Sequence, residues 1–509
     1  MQRKRNKIVL HPIMAYVLMI LCVILLSGFL SLVDLSTNYN LIDAVSGDFD
    51  STNVMVNSLA NLSGIKLIFR TAVSNFASFA PLSMLLITLM GIGIMDKSGF
   101  LQAFFTLITK KASRYMVTFF LALLTIVGSI IGDISFIVLI PIIALFFKYS
   151  KRNPKAGIIM AFAGLACGTG INIFMSSIDT ALLEYTRLAA TSMYATYSIS
   201  IFAYFIVMII LTVAMSFLVA HTTENVIIPK LGKYEIEDEE EFYLDKKKKK
   251  GLIFSLVIGA VYLFIFIYNI IPGLPFSGNL LDYSQHYYID KLFGYNSFFN
   301  QGFVFVITLF FFLCGLFYGL GAKTIKNNQD VSSFLSHSLD GIGKALILIF
   351  FSSALIAIFK ESNIGVVITA FGANFITNSS FTGIPLILAT FAIVVIVTLF
   401  VPSPVTSWTI LSGSLVPVFM NAGMSAEFAE LVFRGAASIS YGITPLMAYF
   451  VIYLSFMDKY SEEDKPISLF GSVKLILPYV IRAAIIWLAI LILFYVLGIP
   501  LGIGATAVL

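Results

Sequence analysis

The chain has 509 residues, of which 59% are hydrophobic and 12% charged, with 32 Lys and Arg against 27 Asp and Glu for a net charge of +5. Soluble domains carry about 25% charged residues, so this chain has about half the charge that a water-facing surface needs. A soluble enzyme, a nucleic-acid binder and a disordered chain are excluded. What remains is an all-α polytopic protein whose main partner is the lipid bilayer. Cys22, Cys167 and Cys314 lie far apart, and the four histidines form no cluster, so neither a disulfide framework nor a metal site is indicated.

Arg3, Lys4, Arg5 and Lys7 precede the uncharged run Ile13 to Val33. About 20 apolar residues suffice to cross a bilayer, and basic flanks stay in the cytoplasm. This first span therefore places the N-terminus inside. The segment from Asp34 to Gly64 holds Asp34, Asp43, Asp48 and Asp50 without Lys or Arg and is expected outside. Basic clusters at Lys97 to Arg114, Lys148 to Lys155, Lys246 to Lys250, Lys323/Lys326 and Lys459/Lys465 mark the cytoplasmic side, and 272–300 should lie opposite.

Tyr115 to Phe147 carries one charge, Asp133, and has basic clusters at both ends. It is too long for one span and too short for two. It reads as a re-entrant hairpin that turns near Gly128–Asp133, which is allowed where the tip is buried in protein or lines a wet cavity. Ala156 to Ala190, interrupted by the glycine-rich stretch Gly164 to Asn172, reads as a broken spanning helix. A return span follows at Tyr197 to Ala220, then a charged loop with Glu235 to Glu241 and Lys246 to Lys250. Spans at Gly251–Ile271, Gly302–Leu320 and Gly341–Phe359 lead to a second hairpin broken at Val401 to Trp408. A second broken helix is interrupted at Ser438 to Pro445, and a last span runs from Val473 to Leu497. The division is 1–75, first repeat 76–220 (hairpin 115–147, broken helix 156–190), loop 221–250, connecting spans 251–340, second repeat 341–497 (hairpin 383–420, broken helix 427–457) and tail 498–509. Nine transmembrane helices and two re-entrant hairpins leave the C-terminus extracytoplasmic. A hairpin and a broken helix entered once from each face form the inverted repeat of secondary transporters with a midplane site.

Asn75 to Pro81, Gly91/Gly93, Asp133 to Pro141, Ala161 to Gly164 with Asn172 and Asp179, and Ile443 to Met447 recur in order between Leu59 and Leu454. Together they resemble the p-aminobenzoyl-glutamate transporter (AbgT) family. The resemblance implies a homodimer in the bacterial inner membrane that imports p-aminobenzoyl-glutamate or exports sulfonamide-type antimetabolites, driven by a cation gradient. It carries functional roles onto Asp179, Trp408, Pro417, Arg434 and Pro445. Departures are equally plain. Ser407 stands where the family has Lys, Val405 where it has Ser, Ala437 where it has Asp, and Thr398 and Tyr441 where it has Asn.

The candidate substrate and ion residues are Asp133, Asn172, Asp179, Ser403, Trp408, Arg434 and Thr444, with Gly168, Gly170, Pro417 and Pro445 shaping the helix breaks. Each has a plainer alternative. Asp133 and Asp179 would cap helix N-termini, Arg434 would pair with Glu430 one turn away, and Trp408 would simply pack. On the functional reading, Arg434 forks onto a carboxylate, Trp408 offers an aromatic face, and ionisable groups inside a membrane mark a site. With Thr398 and Ala437 replacing polar family positions, a proton carried by Asp179 is favoured over sodium as the coupling ion. No P-loop supports an ATP-driven pump, and no nucleophile–base pair supports an enzyme. The alternative is a small di- or monocarboxylate carrier of the same architecture. No cofactor is expected.

Overall fold

The computed structural model describes all residues except 1–9, 43–48, 110–111, 174–175, 233–242, 294–296 and 462–466. The N-terminal basic cluster, the acidic run Glu235 to Glu241, Asp43, Asp48, Lys110, Lys111 and Lys465 thus lie outside the described residues.

Helix α1 (Pro12–Leu32) opens on proline, whose missing N–H costs nothing at a helix start. An antiparallel hairpin of β1 (Ser36–Ile42) and β2 (Phe49–Met55) follows, with Ser36 opposite Met55. Leu35, Val54 and Val56 pack against Ile364 and Val367, which is why this acidic stretch is ordered as strands. Helices α2 (Leu62–Ala77) and α3 (Ala80–Lys97) are separated at Ser78–Phe79, just before Pro81. Next come α4 (Phe100–Thr109), α5 (Arg114–Gly128) and α6 (Ile134–Tyr149). A 3-10 turn at Ser129–Ile131 and Gly132 at φ +62° join α5 to α6. The turn falls where sequence places it.

The first interrupted helix is α7 (Pro154–Gly168) and α8 (Ser177–Met193). Then α9 (Phe205–Thr222) runs through a π-turn at Thr223–Ile227 into α10 (Ile228–Leu231). Lys246–Lys250, expected in a loop, instead open α11 (Lys246–Ile270), because Asp245 accepts the Lys248 backbone N–H at 2.7 Å and caps the helix ahead of them. The connecting helices are α12 (Tyr288–Phe293), α13 (Phe298–Ala322), α14 (Asn328–Ser338) and α15 (Ile342–Glu361).

The second half then repeats the order of the first. A short helix α16 (Ile364–Thr377) precedes the pair α17 (Gly383–Phe400) and α18 (Pro404–Asn421). The interrupted helix α19 (Ala426–Tyr441) and α20 (Phe450–Lys459) comes next, and a long final helix α21 (Leu469–Leu497) ends the series. These six correspond in order to α4 through α9. The second turn is shorter than expected, confined to Val401–Ser403, so Trp408 sits in the second turn of α18. Pro417, expected at a break, lies inside the continuous α18. Its ring removes one backbone donor, but the buried packing of Ser412 to Val416 keeps the helix unbroken around it. Pro445 lies in the break between α19 and α20.

Nine helical segments among the described residues are long and apolar enough to cross a membrane. They include Arg114–Ile131 and Gly383–Phe400, the first arms of the two hairpins, and not the two interrupted helices. The packing shows where the centre is. Every residue of α19 is buried, as is every residue of α7 except Lys155, whereas α1 and α11 turn leucines and phenylalanines such as Leu25 and Phe264 outward. The repeats interlock: α8 packs on α18, α20 on α6, and α19 on both α7 and α8.

Candidate substrate and ion site

The break after Gly168 frees backbone groups that side chains must satisfy. Ser176 and Asp179 do so reciprocally at the start of α8. The Ser176 hydroxyl oxygen accepts the Asp179 N–H at 3.3 Å, while the Asp179 carboxylate accepts the Ser176 N–H at 2.8 Å and O–H at 2.5 Å. Asn172 donates its side-chain amide to both carboxylate oxygens, at 2.9 and 3.2 Å. Arg434 of α19 completes the shell with an ion pair from Nη2. Asp179 therefore caps a helix and holds a guanidinium at once.

Arg434 is fixed by three acceptors. Besides Asp179, its Nε donates to the Gly170 carbonyl at 3.3 Å and its Nη1 to Glu430 Oε1 at 3.3 Å. Gly170 permits this approach because any Cβ there would stand 2.5 Å from the Arg434 carbonyl oxygen. Burial is nearly complete, with Asp179, Arg434 and Glu430 at 3%, 4% and 0% exposure. Two carboxylates thus share one guanidinium.

The cluster extends through Thr186 of α8. Its hydroxyl lies 2.6 Å from Glu430 Oε2 and accepts the Trp408 indole N–H at 2.9 Å. The Trp408 ring is fully buried, 4.7 Å from the Phe433 ring. Tyr204 lies under the guanidinium at 5.4 Å, and Tyr197 donates to Glu427 Oε2 at 2.6 Å. A cavity of about 420 Å³ reaches Asp179, Asn172 and Arg434 from the end of the molecule that carries α12. Phe202, Tyr204, Phe205 and Tyr288 form its aromatic wall.

The remaining predicted residues lie apart from this group. Asp133 sits at the α5–α6 turn, exposed, with no capping bond, and Tyr441 and Tyr449 are close enough to sense its charge. The first turn is tied to the first break by Ser129, whose hydroxyl lies 2.8 Å from the Gly168 carbonyl and 3.3 Å from Asn172 Oδ1. The second turn is tied to the second break by neutral groups. Thr398 and Ser440 hydroxyls meet at 2.6 Å, and Thr444 donates to the Leu399 carbonyl at 2.6 Å. Ser403 caps α18, accepting from Thr406 N–H at 3.4 Å.

Sequence reasoning thus names Asn172, Asp179 and Arg434, which the fold brings together, and Trp408, which joins through Thr186. It misses Thr186, Tyr197, Tyr204 and Glu427, and sees Glu430 only as a local partner of Arg434. The available signal is Glu427 and Glu430 themselves, two acids in an otherwise apolar helix.

A sequence profile of the AbgT putative transporter family matches residues 2–509. The chain belongs to the AbgT family. Among its relatives, the p-aminobenzoyl-glutamate transport protein of Escherichia coli K12 is 25% identical, over 99% of this chain and 95% of that one. MtrF of Neisseria gonorrhoeae, described as illuminating a class of antimetabolite efflux pumps, aligns with TM-score 0.50 and 27% identity over 98% of each chain. The YdaH transporter of Alcanivorax borkumensis aligns with TM-score 0.49 and 24% identity, over 97% of this chain and 100% of that one. This AbgT-family chain is a multi-pass membrane transporter.

Proposed function

We propose that this AbgT-family transporter is a proton-coupled secondary carrier of p-aminobenzoyl-glutamate or a related aromatic carboxylate, working in the bacterial inner membrane as a homodimer. The observation that carries this reading is the 420 Å³ cavity with aromatic walls and an Asn172–Asp179–Arg434 floor. Its volume suits a drug-sized ligand, with a few polar groups to set orientation. The aromatic wall favours a benzoyl ring and the guanidinium favours a carboxylate. The names of the E. coli and gonococcal relatives support the same substrate range, antimetabolites included. Basic residues at Lys148 to Lys155 and Lys246 to Lys250 support a cytoplasmic N-terminus and an extracytoplasmic C-terminus. The 16 residues of α6 reach only about 24 Å, short of a full crossing, which supports a re-entrant hairpin. The hydroxyls that close the second break, Thr398, Ser440 and Thr444, bond to one another and to the Leu399 carbonyl, which favours protons over sodium.

A second reading, a small di- or monocarboxylate carrier, is favoured by one observation: the Trp408 ring is buried in the core and not among the cavity-lining residues. Counterflow in proteoliposomes separates the two. Labelled p-aminobenzoyl-glutamate should exchange, and an excess of it or of a sulfonamide should compete. Exchange of succinate alone would establish the second reading instead.

A further inference from the structure

Buried carboxylates are charged at a cost unless donors surround them, so the donors around Asp179 and Glu430 report which protonation states each can adopt. Every group that reaches the Asp179 oxygens from a neighbour is a donor: the Asn172 amide, the Ser176 N–H and O–H, and Arg434 Nη2. A proton added there would face another proton. The shell around Asp179 is made of donors alone.

Glu430 is built differently. Its Oε2 meets the Thr186 hydroxyl at 2.6 Å, its Oε1 meets Arg434 Nη1 at 3.3 Å, and the Tyr204 hydroxyl lies beside the carboxylate. Thr186 Oγ1 has three neighbours: Trp408 Nε1 at 2.9 Å, Glu430 Oε2 at 2.6 Å and the Leu182 carbonyl at 2.9 Å. A hydroxyl has one proton and two lone pairs. Trp408 can only donate and Leu182 can only accept. With Glu430 ionised, the Thr186 proton points to it. With Glu430 protonated, its O–H donates to the second lone pair of Thr186, and the Thr186 proton turns to Leu182. Both states are hydrogen-bonded through rotation of one hydroxyl, with no heavy atom displaced.

We infer that Glu430, and not Asp179, is the group that binds the coupling proton, and that its protonation frees Arg434 Nη1 for a substrate carboxylate. The inference deepens the proton-coupled reading above and rests on it. The proton adds to Glu430 Oε2 as the charge of the side chain goes from −1 to 0. The contact to Nη1 loses its electrostatic strength, and that N–H becomes available to a carboxylate entering from the cavity that Arg434 already lines. Asp179 meanwhile keeps the guanidinium anchored through Nη2. Substrate anion and proton then favour one another's binding by the same factor, as linkage requires.

The surroundings contain few competing charges. On α19 itself the ionisable groups are Glu427, paired with Tyr197, Arg434, and Tyr441 at its far end. From α8 come Asp179, Tyr185 and the mutually paired Glu184 and Arg187, and beside the cluster lie Tyr197 and Tyr204, the latter with its buried hydroxyl near the Glu430 carboxylate. Helices α17 and α18 carry no ionisable side chain. On α7 these groups are Lys155 and Cys167. On α21 they are Lys474, Tyr479, Arg482 and Tyr495. There Arg482 bonds Thr222, Tyr479 meets Thr223, and Tyr495 stacks on Phe428.

The test uses the purified full-length protein in weakly buffered detergent solution with a pH-indicator dye. Adding p-aminobenzoyl-glutamate should draw about one proton per molecule bound, by the linkage just given. Glu430→Gln, whose amide copies the protonated acid, should bind substrate with no proton uptake and should exchange it in counterflow without accumulating it under a pH gradient. It should also lose the infrared carbonyl band of a protonated carboxylic acid. Glu430→Asp should restore proton uptake with a displaced pH profile. Undiminished proton uptake or pH-driven accumulation in Glu430→Gln overturns the assignment, as does loss of substrate binding in both variants. If the wild type binds substrate without proton uptake across the pH range, or accumulates it only under sodium, the proton-coupled reading itself falls.

Discussion

Trp408 is where sequence and structure lead to different experiments. A tryptophan that stacks on a substrate ring contributes to affinity for aromatic substrates alone. A tryptophan with 0% exposure, bonded at 2.9 Å to Thr186 and 4.7 Å from Phe433, supports the whole cluster. Trp408→Ala should therefore lower stability by about 3–5 kcal/mol, the usual cost of emptying a buried aromatic site. Trp408→Phe keeps the ring contact, worth about 0.5–1.5 kcal/mol, and loses chiefly the indole hydrogen bond, worth about 0.5–1.5 kcal/mol. Trp408→Phe should thus fall much closer to the wild type. Heating in detergent followed by fluorescence-detected size exclusion ranks the three proteins. Counterflow then gives KM for p-aminobenzoyl-glutamate and for succinate, which should worsen together in the Ala variant. Wild-type stability with a KM defect confined to the aromatic substrate would refute this reasoning and return the ring to the substrate.

Arg434→Lys should impair transport of every carboxylate substrate, because an ammonium cannot serve Asp179, Glu430 and the Gly170 carbonyl as the fork does; wild-type counterflow would remove Arg434 from the site. Gly170→Ala should cost about 1–3 kcal/mol of stability by overpacking, since its Cβ would meet the Arg434 carbonyl at 2.5 Å; an unchanged melting profile would show that the two segments separate without penalty. Cysteine at Ser332 should label from the cytoplasm and cysteine at Ser284 from the opposite side, both positions being exposed; labelling from one side would refute the orientation.

The breaks were legible in the sequence because they are made by local chemistry. Gly132, Gly168, Gly170 and the Pro402–Pro404 pair weaken helices locally, and the structure turns or stops at each. Elements decided by tertiary contact were not legible. The strands at Ser36–Met55 look like an acidic loop until Val54 and Val56 find Ile364 and Val367, some three hundred residues away. The lysines of α11 are a different case, since Asp245 caps them locally and the charge run hides that signal. In the site, Asp179 and Arg434 stand out as charges in apolar helices, whereas Thr186 is an ordinary threonine. Only the meeting of α8 with α18 and α19 brings it between Trp408 and Glu430.

The two breaks have the same outline and opposite chemistry, and that asymmetry locates the work. At the second, Thr398, Ser440 and Thr444 close the gap with neutral hydroxyls that satisfy one another and the Leu399 carbonyl. Such a joint holds a turn in place through neutral groups, with Asp133 near enough for Tyr441 and Tyr449 to sense its charge. At the first, the freed backbone is capped by Asp179, whose charge draws in Arg434 from the other repeat, and Arg434 brings Glu430 with it. A helix of the second repeat therefore carries the countercharge for a break in the first. Any rearrangement that separates α8 from α19 must expose or neutralise a buried ion pair, which costs several kcal/mol when a partner is removed. A proton on one carboxylate and a substrate carboxylate on the guanidinium would each offset part of that cost. On the proposed proton-coupled reading, movement of the site would be tied to its loading, through residues contributed by both halves of the chain.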